Sequence, residues 1–441
     1  MVVDPLDRAL QRAEQDVPIV NSPELGPAVH WTPSASLPIH RWFRYREGFS
    51  PCLLEHFPGV RHRLDPFCGC GTTLLESAMH RVHSCGIDLN PLATYVTKTK
   101  ATHYSRADSD ALVKLSGYVL RDAGERCPAA LPPYHLLEKL FLPQSLDTVL
   151  RLKSSIQRLE PSRIRDLLFL VWLSILEKAS NVFKEGNGLK YRNKRRRPGR
   201  YVTVPDEEWI PRYFGTDIPK FIANLWRCKC EEVLSDIATC VIPEGYEPEV
   251  RTGTCLDDKM IEFETPIDLA IFSPPYANRF DYFEAYKIEL WMGDFVASAA
   301  DMARLRGDSM RSNLAARKHV PDAPWQELAP FLESMDDAAS SVRMGIKFAL
   351  QGYFADMRLL LRGLRRTLAP EAQVVIVVGN SAYAKSIIPT DALVARLGEE
   401  EGYELRALKI ARRLHVSSQQ RSSLQHLARY MRESVVILAK Q

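Results

Sequence analysis

Seven short apolar runs recur along the chain, and the first five lead into a glycine, an acid or a proline: VRHRLDPF (60–67), HSCGIDLNP (83–91), EVRTGTCLDD (249–258), IDLAIFSPPY (267–276), AQVVIVVGNSAY (372–383), YELRALKIARRL (403–414) and ESVVILAKQ (433–441). Runs of this kind read as buried strands. Amphipathic segments such as DMRLLLRGLRRTL (356–368) and TDALVARLGEEEG (390–402) stand between them. Strands alternating with helices predict an α/β fold, a mostly parallel sheet covered by helices on both faces. The last two runs have no crossover helix between them, which predicts one antiparallel strand at an edge of that sheet.

The rhythm breaks between about 106 and 245, where helical patterns, proline-rich joints (CPAALPPY, 127–134) and a basic run take over. The chain therefore divides into 1–105, a helix-rich basic insertion at 106–245, and 246–441. The run KEGNGLKYRNKRRRPGR (184–200) sets eight cations against Glu185, while the whole 441-residue chain carries only +4. Its glycines and tyrosines predict a mobile loop lying along phosphates, with Lys190, Arg192, Lys194, Arg195, Arg196, Arg197 and Arg200 as contacts. The longest apolar run, LLFLVWLSIL (167–176), is about half of what a membrane span needs and predicts a buried helix. The acidic, helical start has no basic-then-apolar leader, so a cytoplasmic protein without a membrane is expected. The nine cysteines are odd in number and lack C-x-x-C spacing, which predicts reduced thiols and no metal site.

LDPFCGCGTTLLESA places an acid at the end of a strand, glycines at 69 and 71, and a helix opened by two threonines. Glycines admit a ligand to the backbone, and the first helical turn offers free N–H groups. Asp88, at the end of the next run, stands where an acid can hold both hydroxyls of a ribose. This describes a pocket for an adenosine-containing cofactor. A nicotinamide dinucleotide is disfavoured, because Leu74 replaces the third glycine of G-x-G-x-x-G and Asp65 would repel a pyrophosphate. S-adenosylmethionine, a sulfonium with an ammonium group, suits that acid.

Ser273-Pro274-Pro275-Tyr276 follows a buried strand, at the strand end where doubly wound folds place their chemistry. Two prolines fix one carbonyl, Ser273 adds an acceptor and Tyr276 adds a flat face. That set suits an exocyclic amino group on a planar base, which has to leave a duplex to reach it.

DPFCGCGTT followed by SPPY resembles the amino-methylating DNA methyltransferases, and LPIHRWFRYREGFSPCLLEHF (37–57) resembles that family's cofactor-binding segment. The resemblance covers 37–105 and 249–441 and implies a Rossmann-like class I methyltransferase domain. It implies Ser273, Pro274, Pro275 and Tyr276 as catalytic residues, and Asp65, Phe67, Gly69, Gly71, Thr72 and Asp88 as cofactor contacts. Asp257, with Asp258 as its equal, is implied for the adenine amino group. The leading serine favours cytosine N4 over adenine N6. Double-stranded DNA is the expected partner, with the insertion as candidate recognition region, Arg279 placed to close over the flipped base or to contact the phosphate beside it, and a cognate restriction or defence system alongside. An RNA amino-methyltransferase, or a silent nucleic-acid-binding protein on the same scaffold, would carry the same motifs.

Overall fold

The structure is a computed structural model and describes residues 4–441 except 47, 187, 198–199, 279, 313–324, 336–340, 384 and 415–423. Eight strands form the central sheet: β1 (Ile19–Asn21), β2 (His62–Asp65), β3 (His83–Asp88), β4 (Glu249–Thr252), β5 (Ile267–Phe272), β6 (Leu368–Gly379), β7 (Tyr403–Arg413) and β8 (Arg432–Lys440). Their order is β1-β7-β8-β6-β5-β2-β3-β4. All seven apolar runs fall on strands. Every neighbouring pair is parallel except those made by β8, which is antiparallel to both β6 and β7.

The antiparallel strand is therefore not at an edge, as the sequence led one to expect, but inside the sheet. The crossover through helix Thr390–Glu400 carries the chain from β6 past one strand position to β7. The chain then returns through the turn at Gln425–Tyr430, and β8 fills the vacant position. The edge belongs instead to β1, too short and exposed to be read from its pattern, which pairs Ile19 with Leu408.

The central strands show no apolar–polar alternation because both faces are covered. Ala270, Phe272, Val374, Ile376 and Val378 face one core, which includes the helix Ser341–Thr367. Leu269, Ile271, Val375 and Val377 face another, filled by Leu25, Leu53 and Leu54. A buried polar cluster ties helix 390–400 to the sheet: Asp391 accepts from Arg432 Nε (2.7 Å) and Ser434 Oγ (2.7 Å). Arg432 also reaches Glu14 of the first helix at 2.6 Å.

The interval 106–245 is mostly helical. Helices Arg106–Glu125, Pro143–Gln157, Arg163–Ala179 and Ile218–Thr239 pack together, and LLFLVWLSIL is the buried middle of the third. The basic run is not a loop. It forms two β-hairpins, Val182–Glu185 with Gly188–Tyr191 and Lys194–Arg197 with Arg200–Thr203. Antiparallel ladders satisfy backbone groups that a loop would leave to water. Among the described residues no helix is long and apolar enough to cross a membrane.

Asp391→Ala removes the partner of a buried guanidinium and is expected to destabilise the fold by about 3 kcal/mol or more. Urea unfolding followed by circular dichroism measures it.

Candidate active site and nucleic-acid interface

Strands β2, β3 and β5 run parallel and adjacent, so Asp65, Asp88 and Ser273 emerge at one edge of the sheet. The loop after β2 turns through Gly69 and Gly71, with φ of +51° and +85°, a region costly for other residues. A Cβ on Gly71 would also lie 2.7 Å from Thr97. Leu74 occupies the place of a third glycine, and the close approach is supplied from the strand instead. A Cβ on Gly86 of β3 would stand 2.5 Å from Leu74.

The two acids are held by this loop. Asp88 accepts from Gly69 N (2.9 Å) and Asn90 N (2.8 Å). Asp65 accepts from Phe67 N (3.0 Å) and Thr73 Oγ1 (2.6 Å). Desolvation dominates these bonds, raising Asp65 from 3.8 to about 7 and Asp88 to about 6.

Around them lies a cavity of about 130 Å³. Its walls include Asp65, Phe67, Gly69, Thr72 and Asp88, with Tyr45, Phe49 and Leu256 supplying flat or apolar surface. Ser273 and Pro275 close one side. Gly71 shapes the turn without lining the cavity. Asn90 lines it too, and its buried Nδ2 has no hydrogen-bond partner among the described residues. An apolar slot, a carboxylate at a strand end, a second desolvated acid and an unused amide donor fit a cationic adenosine compound. Asp257 is not brought in. It is exposed, its carboxylate caps the helix Asp258–Ile261 by accepting from Lys259 N (3.1 Å), and Leu256 lines the wall instead. Asp258 pairs with Arg366.

Ser273 also faces a second, polar cavity of about 200 Å³, which shares Gly48 and Tyr282 with the first. Tyr276, Trp31, Arg412 and Glu433 line it. The Tyr276 hydroxyl donates to Glu433 Oε1 at 2.7 Å, and Arg412 binds the other carboxylate oxygen. Burial, followed by the Glu433 charge, holds the Tyr276 phenol well above its usual range. Asp281 and Asn380 take structural parts. Asp281 caps the helix Tyr282–Ala285 and binds Arg306 (2.9 Å), while Asn380 bridges Tyr430 O and Asp391 N.

Lys190, Lys194, Arg195, Arg196, Arg197 and Arg200 are all exposed on the hairpins. Arg197 stands opposite Arg200 in the ladder, a like-charge pair that an anion would relieve. Arg192 does not share this surface. Its guanidinium donates to the carbonyls of Ser180 (3.0 Å) and Glu177 (2.9 Å) at the C-terminal end of the helix Arg163–Ala179 and lies over the Tyr213 ring. Lys184 is likewise buried, against Glu289. Arg279 and most of the polar segment 415–426 lie outside the described residues.

Sequence reasoning missed Asn90, Trp31, Arg412 and Glu433. Only Tyr45 and Phe49 had a signal, through the segment 37–57. In the ligand-free protein the two raised acids stabilise the fold fully below about pH 4, and that contribution is lost as pH rises through 6 to 7. Asp65→Asn is expected to flatten the fall in melting temperature between about pH 5 and 8.

No family model matches the chain. It is 26% identical over 446 residues to the Type II methyltransferase M.BsoBI of Geobacillus stearothermophilus, covering 91% of this chain and 86% of that one. The Type II methyltransferase M.AvaI of Nostoc sp. is 24% identical, with 87% and 82% covered. The Type II methyltransferase M.MvaI of Kocuria varians is 20% identical, with 81% and 80% covered. The rRNA methyltransferase aviRa from Streptomyces viridochromogenes aligns with 94% of this chain and 90% of that one, at 10% identity and a TM-score of 0.25, too low to carry weight. The sequence relatives are methyltransferases, and the likeness to them runs through nearly the whole chain.

Proposed function

We propose that the chain is a site-specific DNA methyltransferase that moves a methyl group from S-adenosylmethionine to the exocyclic amino group of a flipped base, cytosine N4 in preference to adenine N6. The observation that carries this reading is the position of Ser273, one residue that belongs to the walls of both cavities. A donor in the first and a base in the second would meet across it.

In this reading Asp88 holds the ribose hydroxyls, Asn90 Nδ2 donates to an acceptor of the donor, and Asp65 faces its cationic end. Bound S-adenosylmethionine supplies an electrophilic methyl on sulfur. Ser273 and the Pro274 carbonyl accept from the amino group, favouring a pyramidal nitrogen whose lone pair points at the methyl. The nitrogen–carbon bond forms as the sulfur–carbon bond breaks, and the amine proton leaves to water without a dedicated base. Tyr276, anchored by Glu433, offers its ring to the base.

The hairpin Lys194–Thr203 is assigned to the phosphate backbone, and the insertion at 106–245 to target recognition. The relatives are named Type II methyltransferases, which supports methyl transfer as the reaction; DNA as substrate and a restriction-modification setting belong to the present proposal. Phosphate contact explains why five cations cluster on a short ladder with no acidic strand facing them.

Incubation with labelled S-adenosylmethionine and unmodified DNA, followed by nucleoside analysis, tests the reading. Ser273→Ala and Tyr276→Ala are each expected to lower kcat by about 100-fold or more with donor affinity retained. Equal rates in these variants, or label on no nucleic acid, would sink the mechanism. Replacing Arg195, Arg196 and Arg197 by Gln should weaken DNA binding and reduce the slope of log affinity against log salt by roughly 2 to 3.

A further inference from the structure

The polar cavity has one wall that accepts and another that can only donate, and this asymmetry selects among bases. The inference rests on the function proposed above. Glu433 is the second residue of β8 and is 3% exposed. One of its carboxylate oxygens takes the Tyr276 hydroxyl and the other takes Arg412 Nε. Arg412 therefore has both terminal nitrogens left, and neither has a hydrogen-bond partner among the described residues. The side chain is 36% exposed and lines the cavity that Ser273 also lines. A guanidinium has no acceptor, so whatever meets those nitrogens must bring one.

A base that satisfies both walls needs an amino group and an acceptor on the same edge. Cytosine carries N4–H2, N3 and the carbonyl O2 in that order. Adenine carries N6–H2 and N1, but a C–H where the carbonyl would be. Guanine interposes an N–H donor between its amino group and the next acceptor. Thymine has no amino group.

We propose that Arg412 selects cytosine by donating from a terminal nitrogen to the ring carbonyl O2, and that Glu433 is a positioning residue for it. Glu433 fixes two things at once, the fork of Arg412 and the ring of Tyr276. That ring is also packed on the backbone of β6, since a Cβ on Gly379 would lie 3.1 Å from it. One carboxylate thus sets the spacing between the stacking face and the donor.

The test compares the full-length protein with Arg412→Met, Arg412→Lys and Glu433→Gln. Each is incubated with labelled S-adenosylmethionine and enzymatically amplified, unmodified genomic DNA, and N4-methyldeoxycytidine and N6-methyldeoxyadenosine are quantified. The wild type is expected to form the cytosine product. Arg412→Met should lower kcat/KM for DNA by about 30-fold or more while S-adenosylmethionine affinity, measured by calorimetry, changes less than about twofold. Arg412→Lys, which keeps the charge without the planar fork, should recover part of the rate. Glu433→Gln should fall mainly in kcat, because the base still enters but is held out of line. An adenine product from the wild type would overturn the inference and leave the amino-methyltransferase reading standing. So would a cytosine product formed by Arg412→Met at a rate within about threefold of wild type. Loss of donor affinity in parallel with activity would show a merely structural role and also overturn it. No transfer to any DNA would overturn both readings.

Discussion

Three parallel strands that end side by side impose the arrangement of everything else. Parallel neighbours in register must release their chains at the same edge, and here β2 pairs with β3 on one side and β5 on the other. Asp65, Asp88 and Ser273 are brought together by that rule alone, although they come from distant parts of the sequence. The glycine turn then refines what the sheet has gathered. It bends Gly69 N toward Asp88 and packs so closely at Gly71 that a side chain there would collide with Thr97. The exchange of roles between Leu74 and Gly86 preserves close helix–strand packing without a third glycine in the loop.

The sequence disclosed what is encoded locally. Unbroken apolar runs marked the central strands because burial on both faces suppresses alternation, and the acid and glycines between Asp65 and Gly71, with Asp88 beyond, pointed to the cavity. What depends on topology did not show. Nothing within ESVVILAKQ says that it will slip between two earlier strands. The basic hairpins were hidden because charged runs carry little strand propensity and their ladder is formed by backbone groups. Arg192 looked like its neighbours, yet two carbonyls at a helix C-terminus engage its guanidinium. Asp257 shows that an acid after a strand serves equally as a helix cap. Glu433 meets Tyr276 across 157 positions of chain, a separation at which no motif operates.

Several contacts tie the interval 106–245 to the rest of the chain, and two of them bear on the cavity. Asp236 of the helix Ile218–Thr239 accepts from Ile39 N (2.8 Å) and Trp42 Nε1 (2.9 Å) and binds Arg41. Lys184 of the first hairpin is buried against Glu289 and lies 4.1 Å from the centre of the Tyr286 ring. Tyr286 stacks on Tyr45 at 4.6 Å, and Tyr45 is a wall of the donor cavity. A buried ion pair of this kind adds little over apolar packing, but removing one partner is expensive. Its effect is to fix where the hairpin sits relative to the cavity, so that the exposed cations beyond it and the cavity share one frame.

The raised acids have a consequence for turnover. On the proposed reaction, the desolvation that raises Asp65 would be partly relieved by the cationic end of a sulfonium donor. Methyl transfer turns the sulfonium into an uncharged thioether. The spent donor therefore loses part of the attraction that brought it in, while a fresh one regains it. On that reading the pocket would distinguish charged from discharged carrier by the electrostatics of its own side chains, and release would be favoured by the same step that completes the reaction.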